Sequence, residues 1–266
     1  MKAKIVKLIE NIYIYLMFLF MYIPIIVLMI FSFNDAKSRG VWGGFSLKWY
    51  QEMFSDAELM TSLQTTLIVG VVSAIISCII GTAAAIGIRG FRNKKIRGLI
   101  NQITNIPMVS SELVLGISLM LLFIAIKIPT GMFTMILAHI TFCVPYVILS
   151  VSPKLMQLDD NLYEAAVDLG AKPWYAFKKV VLPEIMPGIV NGLLIAFTMS
   201  IDDFVISFFT AGNGITNLSM YVYATAKRLN PKINALSTVM FLVIMILLFI
   251  INKRTSKDKD SNVLLR

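Results

Sequence analysis

A chain of 266 residues that is 58% hydrophobic and 15% charged, with a mean hydropathy of +0.80, carries more apolar surface than one soluble core can bury, which excludes an ordinary soluble domain. The formal charge of +9 gathers at the ends of the apolar runs, so it speaks of membrane topology and not of a nucleic-acid partner. Cys78 and Cys143 sit alone in separate runs without ligand spacing and are assigned to neither a disulfide nor a metal.

A helix needs roughly 20 apolar residues to cross the hydrocarbon, and six runs reach that length. Lipid demands that backbone groups be satisfied within the segment, and runs this long are helices, not barrel strands. The first span, residues 11–33, carries no charge. Its basic start is like that of a signal peptide, but it is too long and no small-residue cleavage site follows, so it is read as a retained anchor. The loop after it holds Trp42, Trp49 and Tyr50. Its LKWYQEMF stretch has amphipathic helical spacing, suiting the membrane surface or a docking edge. An interfacial belt is the plainer reading of Trp49, while Trp42 fits a belt and a cation-attracting outer mouth equally.

The second span, 61–88, is uncharged and ends on the basic run RGFRNKKIRG. The third, 99–126, is broken only by Glu112. The fourth, 128–151, holds His139 and a kinking Pro145. The fifth, 185–211, is broken only by Asp202 and Asp203, and the sixth, 233–251, is uncharged. Placing both termini in the cytoplasm puts 17 of the 24 Lys and Arg on that side, as the positive-inside rule favours. His139 has no neighbouring Glu or second His, so a zinc site is not expected; a helix contact is the reading.

Between the fourth and fifth spans lies the longest inner connection, residues 152–184. In DDNLYEAAVDLG, Asn161 can cap a short helix with Glu164 returning a bond from the third position. Gly170 stops that helix by taking the left-handed conformation. Lys172 and Pro173 then open a second short helix, WYAFKKVVL, which Pro183 and Pro187 end. Taken singly, these features only cap and turn a loop.

Taken together, Glu164, Ala165, Ala166, Gly170, Leu182 and Pro183 stand at the spacings of EAA, three residues, G, nine residues, I, one residue, LP. That is the cytoplasmic signature of ABC importer permeases, which this chain resembles, with Val180 where the family has Ile. The resemblance implies a type I importer permease fold of six transmembrane helices in the cytoplasmic membrane. It also implies that the loop docks into a separate ATPase. The chain contains no Gly-Lys pair and hence no phosphate loop, so ATP and Mg²⁺ are expected on that partner, and no catalytic residue or cofactor on this chain.

A charge inside a bilayer costs at least about 2.5 kcal/mol on insertion scales, so those retained usually face a cavity or a partner. Glu112, Asp202 and Asp203 share their spans with no Lys or Arg. Counted along straight helices, Glu112 lies roughly 18 Å and Asp202 roughly 24 Å from the inner end. Successive Asp202 and Asp203 point apart, so one can face a pore while the other pairs or caps locally. Such acids suit a cationic cargo; an ion pair with a partner subunit and a proton relay are the alternatives. PMVSSELVLGISLMLLF, TMSIDDFVISFF and KRLNPKINALSTV are similar to the membrane subunits of spermidine/putrescine importers. That resemblance implies a substrate pathway through Trp42, Glu112, Ser200, Asp202 and Asp203. It also implies a second homologous permease, two ATP-binding subunits and an extracytoplasmic polyamine-binding protein. Another cationic or small solute, or a proton-coupled carrier, is the rival; a carrier gives no reason for the inner signature.

Overall fold

A computed structural model describes residues 2–37, 41–91, 93–226 and 231–246, and among them every regular element is helical. In chain order these are α1 (Lys2–Ser32), α2 (Lys48–Ser55), α3 (Ala57–Gly90), α4 (Lys94–Val109), α5 (Glu112–Ala125), α6 (Met132–Gln157), α7 (Asp160–Asp168) and α8 (Pro173–Ala176). A π-helical turn (Phe177–Val181) leads into α9 (Leu182–Asp202), followed by α10 (Val205–Thr210), α11 (Leu218–Ala226) and α12 (Pro231–Ile246).

The apolar runs at 11–33, 61–88 and 128–151 each contribute one long helix, α1, α3 and α6, with α6 starting only at Met132 and α1 ending at Ser32. Residues 247–251 of the sixth span lie outside the described residues. The third span is not a single rod: α4 and α5 meet at an angle of 102° across Ser110 and Ser111. Pro107 removes a backbone donor just before the break, and the Ser110 hydroxyl bonds back to the Ile106 carbonyl at 2.9 Å. The fifth span is also broken, ending at Asp202 and resuming at Val205. At its N-terminal end the expected stop is absent, because Pro183 and Pro187 stand inside one continuous run from Pro173 to Asp202. The π turn is the reason. Leu182 donates to the Phe177 carbonyl five residues back, and the widened turn makes room for the Pro183 ring where an α-turn would clash.

The chain divides into two compact units. In the unit formed by Met1–Met60 and Val222–Arg266, the loop after α1 folds onto α2. Trp49 is 2% exposed and donates its indole N–H to the Asn34 carbonyl at 2.6 Å, so it anchors the loop and is no belt residue. Asn34 is itself a hub, donating to Val41 O at 2.8 Å and accepting from Gly43 N at 2.7 Å. Lys232 of α12 pairs with Asp56 at 3.0 Å.

In the unit Thr61–Tyr221, α6 is the centre, with Met135, Ala138, His139, Cys143, Val147 and Val151 all fully buried. On one side lies α3, whose Ser73 and Ser77 hydroxyls donate to the Ile136 and Ile140 carbonyls at 3.4 and 3.3 Å. On the other lies α9, antiparallel to α6 and packed closest through small residues. A Cβ on Gly188 would stand 3.0 Å from the Ser150 carbonyl, and one on Gly192 would stand 3.3 Å from the Val147 Cα. One turn further along each helix, Cys143 Sγ donates to the Ala196 carbonyl at 3.4 Å, and a turn beyond that His139 meets Ser200. Steps of four on both helices therefore bring Gly188, Gly192, Ala196 and Ser200 against Val151, Val147, Cys143 and His139. Small residues at that spacing let backbones approach where lipid gives no hydrophobic drive to associate.

Candidate functional site

The α6–α9 pair has two ends, and the sequence-predicted residues divide between them. At the far end α9 stops at Asp202, and Asp203 takes an extended conformation (φ −67°, ψ 127°). The Asp203 carboxylate, 6% exposed, accepts from the Ile206 N–H at 3.2 Å and the Ser207 N–H at 2.8 Å. It thereby caps α10, the local role expected for one member of the pair. Asp202, the last residue of α9, is exposed. Their different surroundings come from the end of the helix between them, not from a 100° step along it.

Beyond its cap, Asp203 meets polar partners from other elements. His139 Nε2 lies 3.5 Å from its Oδ2 and 2.8 Å from Ser207 Oγ, while Nδ1 lies 2.7 Å from Ser200 Oγ. Asn217 completes the cluster, donating to the Asp203 carbonyl at 3.1 Å and to Ser207 Oγ at 2.8 Å. All five side chains are buried. The resemblance set Ser200 and Asp203 on a substrate pathway without linking them to each other, His139 was read as a plain helix contact, and Ser207 and Asn217 were missed. Two clues were present: an imidazole buried in an apolar span must find polar partners, and Ser200 and Ser207 stand seven residues apart, two turns of one face.

Glu112 is the first residue of α5, at the other break, and is exposed. A carboxylate there is favoured by the positive end of the helix. The 102° turn just before it removes the basis for counting its depth along a straight rod. Gly116, one turn further, lets α5 press on α10: a Cβ there would stand 3.4 Å from Ile206 Cα and 3.2 Å from the Phe209 ring. Glu112 lies within electrostatic reach of Asp203 and Asp202. Trp42 belongs to the other unit, where it is 51% exposed with its ring edge-on to Phe31 at 6.4 Å.

At the near end of the α6–α9 pair, α7 carries the EAA residues. Its cap is Asp159, whose carboxylate accepts from the Asn161 N–H at 3.0 Å, so Asn161 is not the cap and Glu164 makes no capping box. Asp gains more than Asn from the helix dipole, and it starts the helix two residues earlier. Glu164 and Ala165 are exposed and Ala166 is half-buried. Gly170 ends the helix at φ +86°, with Gly170 N–H bonded to Val167 O at 2.9 Å and Ala171 N–H to Ala166 O at 3.1 Å. This crossed pair is the left-handed glycine stop. Leu169 and Trp174, 89% and 73% exposed, flank it. Leu182 is half-buried and Pro183 exposed where the π turn joins α9. Arg89 of α3 donates to the Leu155 and Leu158 carbonyls, capping the end of α6 beside this loop.

A family model described as binding-protein-dependent transport system inner membrane component matches residues 77–256. The chain is 41% identical over 221 residues to the putrescine transport system permease protein PotI of Escherichia coli strain K12, covering 80% of this chain and 78% of that one. It is 32% identical over 235 residues to the spermidine/putrescine transport system permease protein PotC of the same strain, covering 88% of each. Among solved structures, a chain of a bacterial ABC transporter that imports the acidic polysaccharide alginate superposes with a TM-score of 0.74 at 17% identity, over 95% of this chain and 96% of that one. That likeness shows a shared fold.

Proposed function

The chain belongs to the family of binding-protein-dependent transport system inner membrane components, and from that premise we propose that it is the membrane-spanning permease subunit of an ATP-driven importer of polyamines, spermidine or putrescine. It is a multi-pass membrane protein whose family moves solutes. The observation that carries the reading is the division of the α6–α9 pair: an exposed EAA loop at one end, an exposed carboxylate beside a helix break at the other. From Leu182 to Asp202 is about 30 Å of helical rise, roughly the thickness of the hydrocarbon.

In this reading both termini and α7 lie in the cytoplasm. Glu164, Ala165, Ala166 and Gly170 seat α7 on an ATP-binding subunit, which holds ATP and Mg²⁺, and Leu182 and Pro183 join the seat to α9. A second permease, homologous to this one, and a second ATP-binding subunit complete the complex, and an extracytoplasmic binding protein delivers the cargo. Closure of the ATPase pair moves α7. The close packing at Gly188 and Gly192 makes α6 and α9 move together and carries that displacement to the breaks. There the carboxylates of Asp202 and Glu112 attract ammonium groups, and Trp42, as the resemblance implies, offers an aromatic face to the same cargo.

The test is uptake of radiolabelled putrescine into vesicles holding the assembled complex and supplied with loaded binding protein. Expected is uptake that needs ATP on the α7 side, is blocked by vanadate and is competed by spermidine but not by an anionic solute. Uptake driven by a proton gradient alone, or competed by an anion, would overturn the proposal.

A further inference from the structure

The geometry points to His139 as a positioning residue that staples the two sides of the α9–α10 break and so sets where the Asp202 carboxylate stands. This rests on the reading of Asp202 as a cargo contact.

Ser200 precedes the break and Ser207 follows it, and one imidazole from α6 holds both, at 2.7 and 2.8 Å. The proton arrangement follows from the partners. Nε2 faces Oδ2 of Asp203 at 3.5 Å, where a lone pair would meet oxygen lone pairs, so Nε2 carries the hydrogen. It donates to Ser207 Oγ, and Nδ1 accepts from the Ser200 hydroxyl. Ser207 Oγ also accepts from Asn217 and turns its own hydrogen to the Asp203 carbonyl. Every hydrogen bond in the cluster then has one direction. The ring therefore tolerates no rotation without losing two buried bonds and leaving their partners unsatisfied.

Asp202 lies two residues beyond Ser200 and one before Asp203, between the two stapled points. Its own contact in the cluster's vicinity is a backbone one, the carbonyl accepting from Ser219 Oγ at 3.5 Å. Its placement is thus inherited from Ser200 and Asp203, and through them from α6. The same α6 runs unbroken for 19 residues from His139 to Gln157 beside α7, about 27 Å of rise. A displacement of α7 carried by α6 reaches the far side of the break, the start of α10, through His139.

The discriminating quantity is polyamine moved per ATP split in vesicles containing the whole complex. A residue needed only for folding lowers transport and ATP hydrolysis together and leaves their ratio alone. A positioning residue lowers the ratio, because the motor cycles past a misplaced carboxylate. His139→Leu is expected to lower the ratio about tenfold. His139→Gln, whose amide reaches the Nε2 position, should recover most of it, and His139→Asn, which reaches only the Nδ1 position, should recover less. Should His139→Leu fail to assemble, the Gln and Asn pair carries the test. An unchanged ratio in both, or a parallel fall of both activities, overturns the proposal. Asp202→Asn is run beside them: if it lowers uptake while the His139 variants keep the wild-type ratio, the cargo reading stands and the staple falls. If Asp202→Asn transports normally, the cargo reading falls, and the staple with it.

Discussion

Two helices in the Thr61–Tyr221 unit are broken beside an acidic residue, and the two breaks are held in opposite ways. Among the described residues, the one at Ser110–Ser111 is bonded only within its own two helices, Ser110 to Ile106 of α4 through its backbone and hydroxyl, and the Ser111 carbonyl accepting from the Leu115 N–H of α5. The one at Asp203–Phe204 is gripped by His139 from α6 and Asn217 from the loop before α11, as well as by its own cap on α10. Glu112 gets its place from the packing of α5 on α10 at Gly116. Asp202 gets its place from the cluster that fixes the start of α10. Glu112 is therefore placed by contact with α10, and Asp202 by the cluster through which α6 grips the start of that helix.

The sharpest way to break this contrast is Asp203→Ala. It removes two capping bonds and leaves buried donors without an acceptor, a loss of about 3 kcal/mol or more. Thermal unfolding in detergent is expected to show a clear fall in Tm together with loss of transport. Asp203→Asn, which keeps an acceptor, should fall less. Next in size is Gly116→Val, whose added carbons collide with the Ile206 backbone and push α5 off α10, costing about 1–3 kcal/mol. Uptake should drop more than Tm, because Glu112 is displaced while the cluster survives; equal effects on both would mean that α10 does not position Glu112. Asp202→Asn and Glu112→Gln should leave Tm within about 0.5 kcal/mol equivalent, both being exposed. Each should lower putrescine uptake in the vesicle assay. Smallest is Ser110→Ala, which cuts a local hydroxyl bond worth about 1 kcal/mol or less. A large effect there would show that the first break is held as tightly as the second.

How much of this was legible in the chain follows from how local each cause is. Long uncharged runs announce helices, because lipid leaves the backbone no other way to satisfy itself. The left-handed stop at Gly170 was legible because glycine alone takes that conformation cheaply. The EAA spacing carried the family. Asp159 displaced Asn161 as the cap because both can serve, and only the surrounding turn decides between them. The run through Pro183 was not legible, since the π turn that spares it is a tertiary adjustment with no residue signature of its own. The break before Glu112 was half-written in Pro107, Ser110 and Ser111, yet none of them sets its angle of 102°. His139 was visible as an oddity, but its partners are 61 and 68 residues away, and no spacing rule reaches that far.

The α6–α9 pair as a lever between α7 and the breaks is tested most directly at Gly170. At φ +86° any other residue is strained by about 1–2 kcal/mol, and a branched side chain would also stand out from the exposed end of α7. Gly170→Val in the reconstituted complex, assayed for ATP hydrolysis and putrescine uptake in the same vesicles, is expected to keep splitting ATP while moving little polyamine. Wild-type uptake for each ATP split would contradict the lever.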